Sequence, residues 1–143
     1  MKNNKVVTLN ELSGLSPQPI LRGRTAVIVI DAQEEYRSGR LPLEGIEDAI
    51  AAGIRTLDMA RAAGISVIHV FHRGAGDGLF GTKSPFFQPI RGFEPKAGES
   101  VIYKGLPNSF AATDLDSTLK CQGVDTLVVL GFMTHVCVES TVR

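Results

Sequence analysis

The sequence has no surplus of charge. Fifteen lysines and arginines balance fifteen aspartates and glutamates over 143 residues, which removes the electrostatic footprint of a nucleic-acid or membrane-surface binder. It has no apolar run approaching the length that spans a bilayer, and Met1-Lys2-Asn3-Asn4-Lys5 leads into no signal-like apolar core. It has only two cysteines, too few for a disulfide framework and in keeping with a reducing compartment. Internal repeats, low-complexity tracts and domain linkers are missing as well. These absences leave a cytoplasmic enzyme or binding domain with a small-molecule partner, and the 43% hydrophobic content suits one core.

What is present is an alternation of short apolar runs and helical stripes. Residues 1–23, with Pro17 and Pro19, read as an N-terminal arm or loop ahead of a domain over 24–143. Thr25 to Ile30 (TAVIVI) is a continuous β-branched run, the mark of a strand buried on both faces of a parallel sheet. Ile46, Ala49, Ile50, Ile54 and Leu57 keep helical spacing, and Gly64 closes that helix. Ile65 to Phe71 reads as a second strand and Ser100 to Tyr103 as a third. Thr113 is the expected N-cap of a helix with Leu115, Leu119 and Cys121 on its inner face, and Val124 to Leu130 is the fourth strand. Strand, helix, strand at this spacing defines a Rossmann-like α/β fold around a parallel sheet, with four strands visible.

The segment His72 to Glu99 reads as a long loop, which in a compact domain is more often functional than idle. It holds a literal G-x-G-x-x-G at Gly76, Gly78 and Gly81. The dinucleotide reading needs a helix straight after the third glycine, and Pro85 and Pro89 forbid one. Phe80, Phe86, Phe87 and Phe93 suit a pocket wall or a subunit contact, and the pattern does not choose.

Three chemistry-bearing residues stand at the ends of predicted strands: Asp31, Lys104 and Cys137. In open α/β sheets ligands bind beyond the carboxyl ends of the strands, near the point where strand order reverses. Cys137 follows the fourth strand after a tight turn and is expected where a helix begins, facing unpaired N–H groups that favour a thiolate. The helix dipole supplies only ~0.3–1 kcal/mol, short of the roughly 3 kcal/mol needed to bring a thiol well below neutrality. Lys104 can supply the missing cation and Asp31 can take the proton.

Three ordered segments, AVIVIDAQ (Ala26–Gln33), VIYKGLPNSF (Val101–Phe110) and GFMTHVCVEST (Gly131–Thr141), resemble the isochorismatase-like cysteine hydrolase superfamily, which includes nicotinamidases and N-carbamoyl amidohydrolases. The resemblance implies a three-layer α/β/α fold of about six strands, so the chain is expected to be truncated beyond Arg143. It implies Asp31 as general base, Lys104 as electrostatic partner and Cys137 as nucleophile. It also implies a cis Phe132–Met133 peptide and an oxyanion hole from the backbone N–H groups of Met133 and Cys137. Gln33, Tyr36, Asn108, Phe110, Phe132, Thr134 and His135 are the candidate pocket residues, and a homo-oligomer is expected.

The departures bear on substrate. The Asp-x-His pair that nicotinamidases use for a metal has no counterpart after His72, so no metal and no cofactor is expected. His69 reads as a hydrogen-bonded core or edge histidine. The isochorismate-cleaving branch lacks the nucleophilic cysteine, so Cys137 speaks against vinyl-ether chemistry. The expected activity is cleavage of a C–N bond in a small amide or carbamoyl compound through a thioester. The alternatives are a metal-containing nicotinamidase-type amidase and a non-catalytic binding module.

Overall fold

The computed structural model describes residues 7, 9–14 and 24–143. The N-terminal arm expected over 1–23 lies mostly outside the described residues; within it Leu9–Leu12 forms a single helical turn, α1. The domain proper runs β1 (Thr25–Ile30), α2 (Ile46–Ala62), β2 (Ser66–His72), β3 (Ser100–Lys104), α3 (Leu115–Cys121), β4 (Thr126–Gly131) and α4 (Glu139–Val142). All pairings are parallel and the order is β3-β2-β1-β4. The chain builds outward from β1 to β3, then crosses back to lay β4 on the other side of β1. The order therefore reverses between β1 and β4.

The β-branched run of β1 is buried along Ala26–Ile30 because both faces of the sheet are covered. Val27 and Val29 pack with Ile50, Leu57 and Ala60 of α2, whereas Ile28 and Ile30 pack with Leu115 and Leu119 of α3. Alternate side chains thus feed two cores, one on each face, which makes three layers. The resemblance implied about six strands; four are present among the described residues.

The segment after β2 does not form a regular helix. Its glycines close a compact turn, with Gly81 N–H donating to Gly78 C=O and Lys83 N–H to Gly76 C=O, and only a short 3-10 turn at Pro85–Phe87 follows. Phe80 and Phe93 are buried in the core beside α2, and Phe87 stacks on Tyr103 with ring centroids 6.2 Å apart. The segment is tied to the β1 exit, where Glu34 N–H donates to Gln88 C=O and Ile90 N–H to Ala32 C=O.

Two details of α3 differ from expectation. Asp114, not Thr113, holds the N-cap position; the Thr113 hydroxyl accepts from Leu115 N–H at 3.2 Å and donates to the Ser109 carbonyl. Cys121 is exposed, because it is the last residue of a seven-residue helix and falls off the stripe of Leu115 and Leu119.

Candidate active site

The three strand-end residues converge. Asp31 leaves β1 in the left-handed region, φ 51°, a conformation that aspartate tolerates better than most residues and that turns the chain sharply out of the sheet. Lys104 closes β3 and reaches across β2, so that its Nζ lies 2.7 Å from Asp31 Oδ2, both side chains fully buried. Cys137 is buried beside them: one Asp31 carboxylate oxygen, one His72 ring nitrogen and Cys137 Sγ all lie within 4.8 Å of one another.

The turn carrying the thiol is not the expected helix start. Val138 N–H donates to Met133 C=O, five residues back, so Thr134–Val138 forms one turn of π-helix that runs on into α4. Cys137 sits inside that turn rather than at the open end of an α-helix. The Phe132–Met133 peptide is cis, as the resemblance implied. Gly131, ahead of it, has φ 137°, and a Cβ there would stand 2.0 Å from the Ile30 carbonyl oxygen. Only glycine lets β4 approach β1 so closely at the point where the site begins.

The electrostatics correct the expectation of a ready thiolate. Burial, together with the Asp31 charge and hydrogen bond, pushes the Cys137 thiol up to about 11, against the opposing pull of Lys104. The thiol is therefore held protonated at neutral pH. Burial also raises the Asp31 carboxyl above its ordinary range, with Lys104 working the other way. Apart from Lys104 and the Cys137 thiol, neither Asp31 oxygen has a hydrogen-bond partner among the described residues. A buried carboxylate with open lone pairs beside a protonated thiol is arranged to accept a proton.

His72 belongs to this cluster and was not among the candidates read from the sequence. Its Nδ1 lies 3.2 Å from Lys104 Nζ, and burial and then Lys104 lower its pKa. Ser109 and Thr141 were missed too. Thr141 Oγ1 donates to the Cys137 carbonyl at 2.7 Å, accepts from Ser109 N–H at 3.0 Å and lies 2.9 Å from Ser109 Oγ, all buried. These polar atoms fasten the Cys137 turn to the loop after β3. The helical spacing Cys137–Thr141 was the available signal.

The candidate pocket residues divide. Gln33 is fully buried, with both ends of its amide on backbone: Nε2 donates to the His72 and Phe87 carbonyls, and Oε1 accepts from His72 N–H. It braces the site and has no amide group left over for a ligand. Tyr36 is buried against Phe80 and Phe132; burial, then the charges of Cys137 and Asp31, push its hydroxyl pKa upward. Asn108 is half-buried, with Oδ1 accepting from Phe110 N–H at 2.9 Å. Phe110 is exposed rather than a core aromatic. Thr134 and His135 are exposed, and His135 stands outside the Asp31–His72–Cys137 cluster.

Asp31, His72 and Cys137 form a donor set of the kind that binds a metal. The set does not fit a nicotinamidase-type centre, because the Lys104 ammonium already lies 2.7 Å from Asp31 and 3.2 Å from His72. A divalent ion there would meet a fixed positive charge. His69, the other histidine of β2, is fully buried on a different partner, with Nε2 2.8 Å from Glu99 Oε2.

A parallel three-layer α/β domain that gathers a thiol, a carboxylate and an ammonium at its strand ends has the make-up of a hydrolase. The chain belongs to the isochorismatase family, whose domain model matches residues 25–143. A secreted isochorismatase effector from Verticillium dahliae is 34% identical over 137 residues, which is 95% of this chain and 72% of that protein. A ureidoacrylate amidohydrolase from Caulobacter vibrioides is 32% identical, over 89% of this chain and 72% of its own. The crystal structure of an isochorismatase from Pseudomonas putida KT2440 superposes with a TM-score of 0.83 at 43% identity, covering 97% of this chain and 72% of that one. The family thus includes amidohydrolases. No helix among the described residues is long and apolar enough to cross a membrane. The Verticillium relative is secreted by its name, so the cytoplasmic location expected from cysteine usage does not extend across the relatives.

Proposed function

We propose that the protein is a cysteine hydrolase that cleaves the C–N bond of a small amide or carbamoyl compound, with Cys137 as nucleophile, Asp31 as general base and Lys104 as the cation that keeps Asp31 ionised. The observation that supports this most is the convergence of buried thiol, carboxylate and ammonium at the end of the sheet where strand order reverses. The amidohydrolase relative from Caulobacter supports the bond class.

In this reading the thiol attacks only as it loses its proton. Sγ bonds to the substrate carbonyl carbon while its proton passes to Asp31, and the oxyanion is received by the N–H groups of Met133 and Cys137. The intermediate collapses as Asp31 returns the proton to the leaving nitrogen; ammonia or an amine departs and a thioester remains. Water then attacks the thioester and gives its proton to Asp31. The C–S bond breaks, and the thiol is restored with that proton. The high pKa of Cys137 suits this scheme, because a thiol held protonated needs an adjacent base at each turnover.

The test is ammonia or amine release from a panel of small carboxamides, ureido acids and carbamoyl amino acids, with acid-quenched mass spectrometry of the protein. Wild type is expected to turn over at least one class and to carry an acyl mass on Cys137. Cys137→Ala should do neither. Turnover retained in Cys137→Ala overturns the proposal. Binding with neither turnover nor an acyl adduct would move the binding-module reading forward.

A further inference from the structure

We propose that His72, unprotonated at Nδ1, is a positioning residue of this hydrolase: it accepts from the Lys104 ammonium and so fixes the cation between the base and the strand end. The inference rests on the catalytic reading of Asp31, Lys104 and Cys137 given above. Lys104 Nζ lies 2.7 Å from Asp31 Oδ2, 3.2 Å from His72 Nδ1 and 3.2 Å from the Leu106 carbonyl, with the Cys137 thiol beside it. An ammonium carries three hydrogens, and a fully buried one needs a partner for each. His72 supplies the neutral nitrogen acceptor among these, a stronger one than a thiol sulfur. Because lysine only donates, Nδ1 must present its lone pair, which places the ring proton on Nε2.

The ring is held for this task. The Gln33 amide pairs with both the N–H and the C=O of His72, extending the β1–β2 pairing by a side chain. Arg73 N–H donates to the Lys104 carbonyl at 2.8 Å, which locks the β2 exit to the β3 end. Phe80 packs on the ring with centroids 5.0 Å apart. The ionisable groups facing His72 are Asp31 from β1, Lys104 from β3 and Cys137 from the π-helical turn; Tyr36 and Glu35, after β1, contact Phe80. Protonating Nδ1 would remove the acceptor and set a second positive charge against Lys104. The direction of the His72 pKa, below its ordinary value, agrees with a neutral ring at working pH.

His72→Asn and His72→Leu separate this role from a packing role, since Asn keeps an acceptor at similar reach and Leu keeps the volume. On an amide substrate of the wild type, His72→Leu should lose about tenfold or more in kcat with KM little changed. His72→Asn should keep kcat within about threefold. Its acid limb should show one proton step where wild type shows two, because Asp31 still titrates and position 72 no longer does. Full activity in His72→Leu, or an unaltered two-step acid limb in His72→Asn, overturns the inference while Cys137→Ala stays silent. Turnover in Cys137→Ala would instead overturn the catalytic reading beneath it.

Discussion

Asp31 and Lys104 push the Cys137 thiol in opposite directions, so reactivity of the thiol and catalysis by the site should separate on mutation. Removing the Asp31 charge in Asp31→Asn takes away two of the influences that raise the thiol. Alkylation of Cys137 at pH 8 should therefore speed up, although amide turnover falls by roughly 10²–10⁴ with the base gone. Lys104→Met should slow alkylation, because burial and Asp31 then act unopposed. Mass spectrometry of iodoacetamide-treated protein across pH reads both, and equal shifts in one direction would refute the arrangement. In the proposed mechanism, turnover by the wild type needs Asp31 ionised. Since burial raises that carboxyl, the acid limb should lie above the ordinary carboxylate range. The three residues could be singled out in the sequence because Asp31 and Lys104 stand at strand ends, Cys137 follows the turn after β4, and each lies in one of the three segments that resemble the family. The sign of the thiol's shift was not, since desolvation depends on how closely the layers cover the site.

At the level of elements, α4 is short and gains its place through Thr141. Its hydroxyl meets the Cys137 carbonyl, Ser109 N–H and Ser109 Oγ in a buried cluster. Thr141→Val keeps the shape and strands those groups without partners, at about 1–3 kcal/mol for a buried unsatisfied group. Urea unfolding should show a loss of about 2–4 kcal/mol in Thr141→Val, and Thr141→Ser should recover most of it. Gly131→Ala should also destabilise, since its Cβ would collide with Ile30 backbone. The strands could be read from the sequence almost to the residue: Thr25–Ile30 was expected and observed. A parallel strand buried on both faces is apolar almost throughout, and Ala26–Ile30 of β1 is an unbroken run. The π-helical turn could not be read, because Thr134–Val138 differs from α-helix in which carbonyl each N–H finds, and side-chain periodicity over five residues does not record that. His72 escaped for a related reason. It lies three residues from His69 on one strand, and only the reach of Lys104 across β2 shows which of the two serves the site.

Across the whole molecule, a helix, a strand and the long loop are tied together by Arg61, Glu99 and His69. Arg61 of α2 donates to Glu99 Oε1 at 2.7 Å and Oε2 at 2.8 Å, the geometry of a bidentate pair, and to the Glu94 carbonyl at 2.9 Å. His69 of β2 meets the same carboxylate from within the sheet, and Lys96 N–H donates to it at 2.8 Å. One carboxylate at the end of the long loop thus joins a helix, a strand and the loop itself. Burial alone would raise its pKa. The hydrogen bonds from Arg61, Lys96 N–H and His69 prevail and hold it at about 2. Burial lowers the His69 pKa against the pull of Glu99, so the ring is neutral and donates from Nε2. The sign follows for both groups. A carboxylate held below its ordinary value stabilises the fold above the unfolded pKa of about 4.3, and that contribution fades as pH falls toward 2. A histidine held below its ordinary value costs stability as pH drops under about 6.5, where the unfolded ring takes a proton and the folded one resists. Both slopes run the same way, so stability should decline on acidification. Glu99→Gln should be less stable than wild type by about 1–3 kcal/mol at pH 7, and the gap should narrow below pH ~4, where the wild-type carboxylate begins to lose its advantage. Urea midpoints measured from pH 7 down to pH 3 test this. A gap that stays constant with pH would mean that the carboxylate's charge is not what binds the three elements.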